Sequence, residues 1–180
     1  MSAAVVEHKS LADHSTRASR RAIAVWAATS AIALAILGLI VGAPIAQAYS
    51  HPEFASPIYK AFSFVCHQIP ERSFHLAGHQ FAVCSRCTGL YAGFAVAALA
   101  YPLIRPLKAT DTPPRLWLIL AAVPLVIDFA LGYFSIWQNN HFSRFATGAL
   151  LGAVAVFYIM PGLVELSSTV IRHLKRNVSQ

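Results

Sequence analysis

Cys84-Ser85-Arg86-Cys87-Thr88-Gly89-Leu90-Tyr91-Ala92-Gly93-Phe94-Ala95-Val96-Ala97-Ala98-Leu99-Ala100-Tyr101-Pro102-Leu103-Ile104 opens on two thiols and carries no acid or base after Arg86. The run from Thr88 is close to the ~17–25 apolar residues that a membrane-spanning helix needs. Three more stretches read the same way, at residues 22–45, 116–134 and 145–166. With 57% hydrophobic residues, 12% charged residues and a mean hydropathy of +0.56, the 180-residue chain has too few polar groups to cover a water-soluble surface. The expected fold is all-α: an integral membrane bundle of four transmembrane helices, with a structured Cys/His loop at 46–87 outside the bilayer.

The net charge of +7 does not point to nucleic acid, because the cations are sorted by loop. Lys9, Arg17, Arg20 and Arg21 precede the first span, Arg105, Lys108 and Arg115 separate the second from the third, and Arg172, Lys175 and Arg176 follow the fourth. Only Lys60, Arg72, Arg86 and Arg144 fall on the other side. The positive-inside rule then puts both termini in the cytoplasm and the cysteine loop on the outer face of the cell's inner (cytoplasmic) membrane. The flanking cations can also attract anionic lipid heads, so membrane lipids are the expected partners.

Residues 1–21 are polar, without apolar periodicity, and read as a disordered cytoplasmic tail; residues 167–180 read as a basic cytoplasmic tail. Arg20-Arg21, an apolar stretch and Ala46-Gln47-Ala48 resemble a signal peptide with its cleavage site. The apolar run is longer than the usual ~7–15-residue core, so it is read as a retained anchor. Pro57 suits the first turn of a short helix reaching Gln68, with Cys66 and His67 at its end. Gly38/Gly42, Gly89/Gly93 and Gly148/Gly152 put small residues one turn apart on three spans, the spacing that lets helix backbones meet in lipid.

Cys66 is the only cysteine besides Cys84 and Cys87. The CxxC pair lies at a helix N-terminus beside Arg86, and both features favour thiolate. Three thiolates with one imidazole make a closed tetrahedral zinc site, for which His67, His75 and His79 are the candidate nitrogens, the last two sharing a face if helical. The competing reading is a Cys84–Cys87 disulfide, which leaves Cys66 unpaired in an oxidising compartment. Asp128, inside the third span, is expected to face a bundle interior, either pinning helices through Arg86 or Arg144 or serving the metal site as ligand, base or orienter. Glu71 and Arg72 form an exposed pair or line that site, and Tyr91 is assigned to the interfacial aromatic belt.

The motifs Cys66-His67-Gln68-Ile69-Pro70-Glu71-Arg72-Ser73-Phe74 and Cys84-Ser85-Arg86-Cys87-Thr88-Gly89-Leu90-Tyr91-Ala92-Gly93, with Pro124 and Asp128, then Arg144 and Thr147-Gly148, resemble a family of small prokaryotic membrane proteins known as a domain of unknown function. The resemblance runs from about Phe62 to Gly152. It implies one shared site of Cys66, His67, Glu71, Arg72, Cys84, Arg86, Cys87, Asp128 and Arg144. His75, His79 and His141 stand outside the pattern, which favours His67 or a carboxylate as fourth ligand. Three function classes follow: a structural zinc in a lipid- or partner-binding protein; a zinc enzyme acting on a lipid-linked or anionic substrate, with Asp128, Glu71, Arg86 and Arg144 as candidate catalytic residues; and a thiol–disulfide protein using Cys84 and Cys87.

Overall fold

The computed structural model describes residues 3–178; Met1, Ser2, Ser179 and Gln180, the outer ends of the two expected tails, lie outside the described residues. The elements are α1 (Ala3–Ala48), α2 (Pro52–Ser63), a single 3-10 turn (Pro70–Arg72), β1 (His75–Leu76), β2 (His79–Gln80), α3 (Ser85–Ile104), α4 (Arg115–Tyr133) and α5 (His141–Val178). Four stretches are long and apolar enough to cross a membrane: Ala18–Ala48, Ser85–Ile104, Arg115–Tyr133 and His141–Val170. They coincide with the four expected spans to within a few residues at each end. Helix is the natural solution in hydrocarbon, where each backbone N–H must find its acceptor within the same segment.

Prolines inside these helices set two of the tertiary joints. Pro44 in α1 has no N–H to give to the carbonyl four residues back, that of Ile40, and that carbonyl instead accepts from the Ala82 N–H at 3.3 Å. Pro102 in α3 likewise frees the Ala98 carbonyl, which accepts from the Trp26 indole of α1 at 2.7 Å. Each missing helical bond thus becomes a strut between α1 and another part of the chain. The first strut holds the segment that leads into Cys84.

Glycines set the closest contact. A Cβ on Gly89 or Gly93 of α3 would strike the carbonyls of Phe145 or Ala149 in α5, and one on Gly148 or Gly152 of α5 would strike those of Arg86 or Leu90 in α3. The two GxxxG stripes therefore face each other, and α3 and α5 pack backbone to backbone. The third expected stripe does not join them: Cβ atoms at Gly38 and Gly42 would meet nothing within 4 Å. Ala97, Ala98, Tyr101, Val156 and Met160 continue the α3–α5 interface as a buried core. On α4, Leu116, Trp117, Ile119, Leu120, Val126 and Ile127 stay exposed, an apolar surface suited to lipid.

Two local expectations in the loop are corrected. The short helix begins at Pro52, which takes the first-turn place assigned to Pro57, and ends at Ser63 rather than Gln68. The N–H groups of Val65 and Cys66 close its last turn onto the Phe62 carbonyl, at 3.1 and 2.9 Å, and Gln68 turns away with φ +50°. His75 and His79 do not share a helix. Ala77 (φ +50°) and Gly78 (φ +82°) form a tight left-handed turn, which folds the two histidines onto paired strands with His75 opposite Gln80 and Leu76 opposite His79.

Candidate metal centre and the adjoining cavity

Cys66 leaves α2 just past its closing turn, and Cys84 is the N-cap of α3, with Cys87 one turn into that helix. Two chain segments converge so that the three sulfur atoms lie within 4.8 Å of one another. Cys66 is buried and Cys84 and Cys87 are half-buried, against Ile40 of α1, Val83 and Phe62. Zinc–sulfur bonds of ~2.3 Å in a tetrahedron put sulfurs about 3.8 Å apart, so the trio needs little movement to grip one ion. The Cys84 N–H donates to Cys66 Sγ at 3.2 Å. The Cys66 thiol, then the Cys87 thiol, then the Cys87 and Arg86 N–H groups direct hydrogen bonds to Cys84 and hold it far below the usual thiol range, although burial works the other way. That direction favours the thiolate form at Cys84, the form that binds a metal.

Gln68 fixes the loop around this trio. Its side-chain amide donates to the Tyr59 carbonyl of α2 at 2.7 Å and to the Ala82 carbonyl before α3 at 2.8 Å. Tyr91, assigned from sequence to the aromatic belt, turns inward instead and packs edge-on to Phe62, 6.1 Å between centroids, beneath the thiols.

A cavity of about 210 Å³ adjoins the sulfurs, and Cys66, Cys84 and Cys87 share its wall with His67, Arg72, Arg86 and Arg144. His67 is exposed and faces this space; no histidine joins the sulfur cluster among the described residues. Glu71 lines a neighbouring cavity with Asn139, His141 and Arg144. His79 lies in a third, beside Gln47, Tyr59 and Gln80. His141 accepts from or donates to the buried Ser85 hydroxyl through Nδ1 at 2.7 Å and packs on Phe74, so it braces the Cys84–Cys87 turn.

Asp128 pairs with Arg86, and the arginine also lies over the Phe129 ring, 5.6 Å from its centroid. Of the two partners expected, Arg86 is the direct one. Arg144 is reached through Asn139: Arg144 Nε and Nη2 donate to Asn139 Oδ1 at 2.9 and 2.5 Å, while Asn139 Nδ2 donates to the Asp128 carbonyl at 2.8 Å and its carboxylate at 3.1 Å. The chain Arg86–Asp128–Asn139–Arg144 joins α3, α4 and α5 at the site's floor. Because α4 ends at Tyr133, Asp128 lies five residues from the helix end, roughly 7.5 Å along the axis.

The sequence reading missed Asn139, Gln68 and Ser85. Each is a polar residue in or beside a turn, where no periodicity marks it. Gly132 offers a trace in retrospect, since a Cβ there would meet the Asn139 side chain.

These features define a four-span membrane protein with a trithiol cluster and a cationic cavity at one end of its bundle. The chain belongs to the family described as predicted membrane protein (DUF2085), whose model matches residues 66–158. That stretch contains every residue of the cluster and of the Arg86–Arg144 chain, and leaves out α1 and α2. An uncharacterized protein of Methanocaldococcus jannaschii is 38% identical over 109 residues, 61% of this chain and 70% of the relative. An uncharacterized protein of Methanothermobacter thermautotrophicus is 40% identical over 91 residues, 51% of this chain and 80% of the relative. No solved structure matches the chain.

Proposed function

We propose that the protein is a multi-pass protein of the inner membrane whose extracytoplasmic loop is clamped to the bundle by one zinc ion on Cys66, Cys84 and Cys87. The observation that carries this is the meeting of three sulfurs from two separate segments within 4.8 Å. An ion bridging them ties the end of α2 to the start of α3, and its binding free energy becomes folding free energy of the loop. His67 is the proposed fourth ligand, since it follows Cys66 in the chain and lines the same cavity as the three cysteines. Residues 1–21 and 167–180 are proposed as cytoplasmic tails, with the ten-to-four sorting of basic residues in support.

Asp128 is proposed as a helix pin and not as a general base, because its carboxylate is already held by Arg86 and Asn139. A catalytic zinc is the second reading, favoured by the cavity that abuts the sulfurs. If His67 stays unbound, the ion keeps one position toward that space, where zinc can polarise a substrate oxygen.

Metal analysis of detergent-purified protein tests the proposal. Close to one zinc per chain is expected, with Cys84→Ser or Cys87→Ser abolishing it. Stoichiometric zinc in the Cys66→Ser, Cys84→Ser double variant would refute the site. A metal-free chain whose Cys84 and Cys87 titrate as a redox pair would replace it with the thiol–disulfide class.

A further inference from the structure

The cavity beside the sulfurs is cationic beyond what the metal reading requires. Arg72, Arg86 and Arg144 all line it. Asp128 neutralises Arg86. Neither Arg72 nor Arg144 has a carboxylate partner among the described residues, and the side-chain acceptor bonded to Arg144 is the neutral Asn139 amide. Arg86 Nε is buried with no hydrogen-bond partner, so this cavity-lining guanidinium keeps a donor that Asp128 does not satisfy. Two guanidinium groups without a carboxylate, Arg72 and Arg144, with Arg86 beside them around one space of about 210 Å³, suit a tetrahedral oxyanion, which offers several acceptor oxygens to such donors.

The rest of the lining says what such an oxyanion would be attached to. Val65, Ile69, Phe129 and Tyr133 give the wall its apolar and aromatic part. The exposed rings of Phe64, Tyr133, Phe134 and Trp137 lie at or just past the ends of α2 and α4, and such rings favour a membrane interface. A charged floor with an apolar and aromatic rim matches a phosphate group that carries hydrocarbon.

We propose that this cavity is a binding site for a terminal phosphate monoester, held by Arg72, Arg86 and Arg144, with a lipid as its carrier. The inference goes beyond the zinc clamp and needs the membrane placement of the chain but not the ion. The two candidate sources of the same chemistry are a phosphate-bearing lipid and free phosphate.

The test uses the full chain purified in neutral detergent, titrated by calorimetry with inorganic phosphate or with dihexanoyl phosphatidate, and zinc content is measured on the same samples. Saturable phosphatidate binding is expected, about tenfold or more tighter than inorganic phosphate through the apolar wall. Comparable affinity for inorganic phosphate would uphold the oxyanion site and assign it to the free ion. Arg144→Gln should weaken binding about ten- to hundredfold, and Arg144→Lys less, since a lysine keeps the charge and loses the fork. Arg72→Gln alters an exposed side chain, and should weaken binding without changing thermal stability or zinc content. No saturation by either probe, or affinity unchanged in both Arg72→Gln and Arg144→Gln, overturns the proposal. Phosphatidate binding by a wild-type chain free of zinc would sink the clamp and leave this site standing.

Discussion

Replacing Asp128 with Asn removes the carboxylate from Arg86 while nearly preserving shape. The two side chains are only 20% and 10% exposed, so the arginine left behind is poorly hydrated. Breaking a fully buried pair on one side costs about 3–5 kcal/mol; residual exposure and the remaining amide acceptor reduce this to about 2–4 kcal/mol. For a chain of this size that is a fall of roughly 4–16 °C in melting temperature. Arg86→Gln should cost a similar amount, because it strands the carboxylate, although Asn139 still donates to it at 3.1 Å. The double variant carries no uncompensated charge and should recover about 2 kcal/mol relative to the sum of the single changes. The assay is a thermal melt of the four proteins in one detergent, with zinc measured on each. Additive losses would refute the helix-pin account, and so would loss of zinc in Asp128→Asn at unchanged stability, which would return the aspartate to the metal site.

Gly148→Ala should destabilise by about 1–3 kcal/mol, since the new methyl meets the Arg86 carbonyl, whereas Gly38→Ala, with open space around it, should stay within about 0.5 kcal/mol of wild type in the same melts. In zinc-stripped protein Cys84 should be alkylated by iodoacetamide at a rate that stays high as pH falls below 7, because its folded-state thiol is already ionised there. A rate that collapses with a midpoint near about 8.5 would contradict the thiolate. A cysteine at Ser50 in a cysteine-free background should react with an impermeant thiol reagent in intact cells and one at Thr112 should not; the reverse would invert the topology.

Hydropathy alone located the spans because the bilayer imposes a length and makes charge costly, and both are written in order along the chain. The sulfur cluster was legible for a similar reason: Cys84 and Cys87 are joined by a helical turn, and Cys66 is the only other thiol. What depends on contacts between distant segments was not legible. The sequence left Asp128 two arginine partners, and the choice of Arg86 follows from where α4 ends and how closely glycines let α3 approach α5. Asn139 became a bridge only once residues 134–140 folded back over Gly132. The four-residue spacing of His75 and His79 suggested one helical face, but Ala77 and Gly78 took positive φ and made a hairpin. A GxxxG stripe says that close approach is allowed, not that it occurs, and Gly38 and Gly42 are the instance.

Zinc K-edge X-ray absorption on the purified protein tests the central claim most directly. The account predicts three sulfur scatterers at about 2.3 Å and one nitrogen or oxygen at about 2.0–2.1 Å, with the sulfur shell lost together with the metal in Cys87→Ser. A coordination shell of nitrogen and oxygen only, on protein whose three thiols remain free, would contradict it.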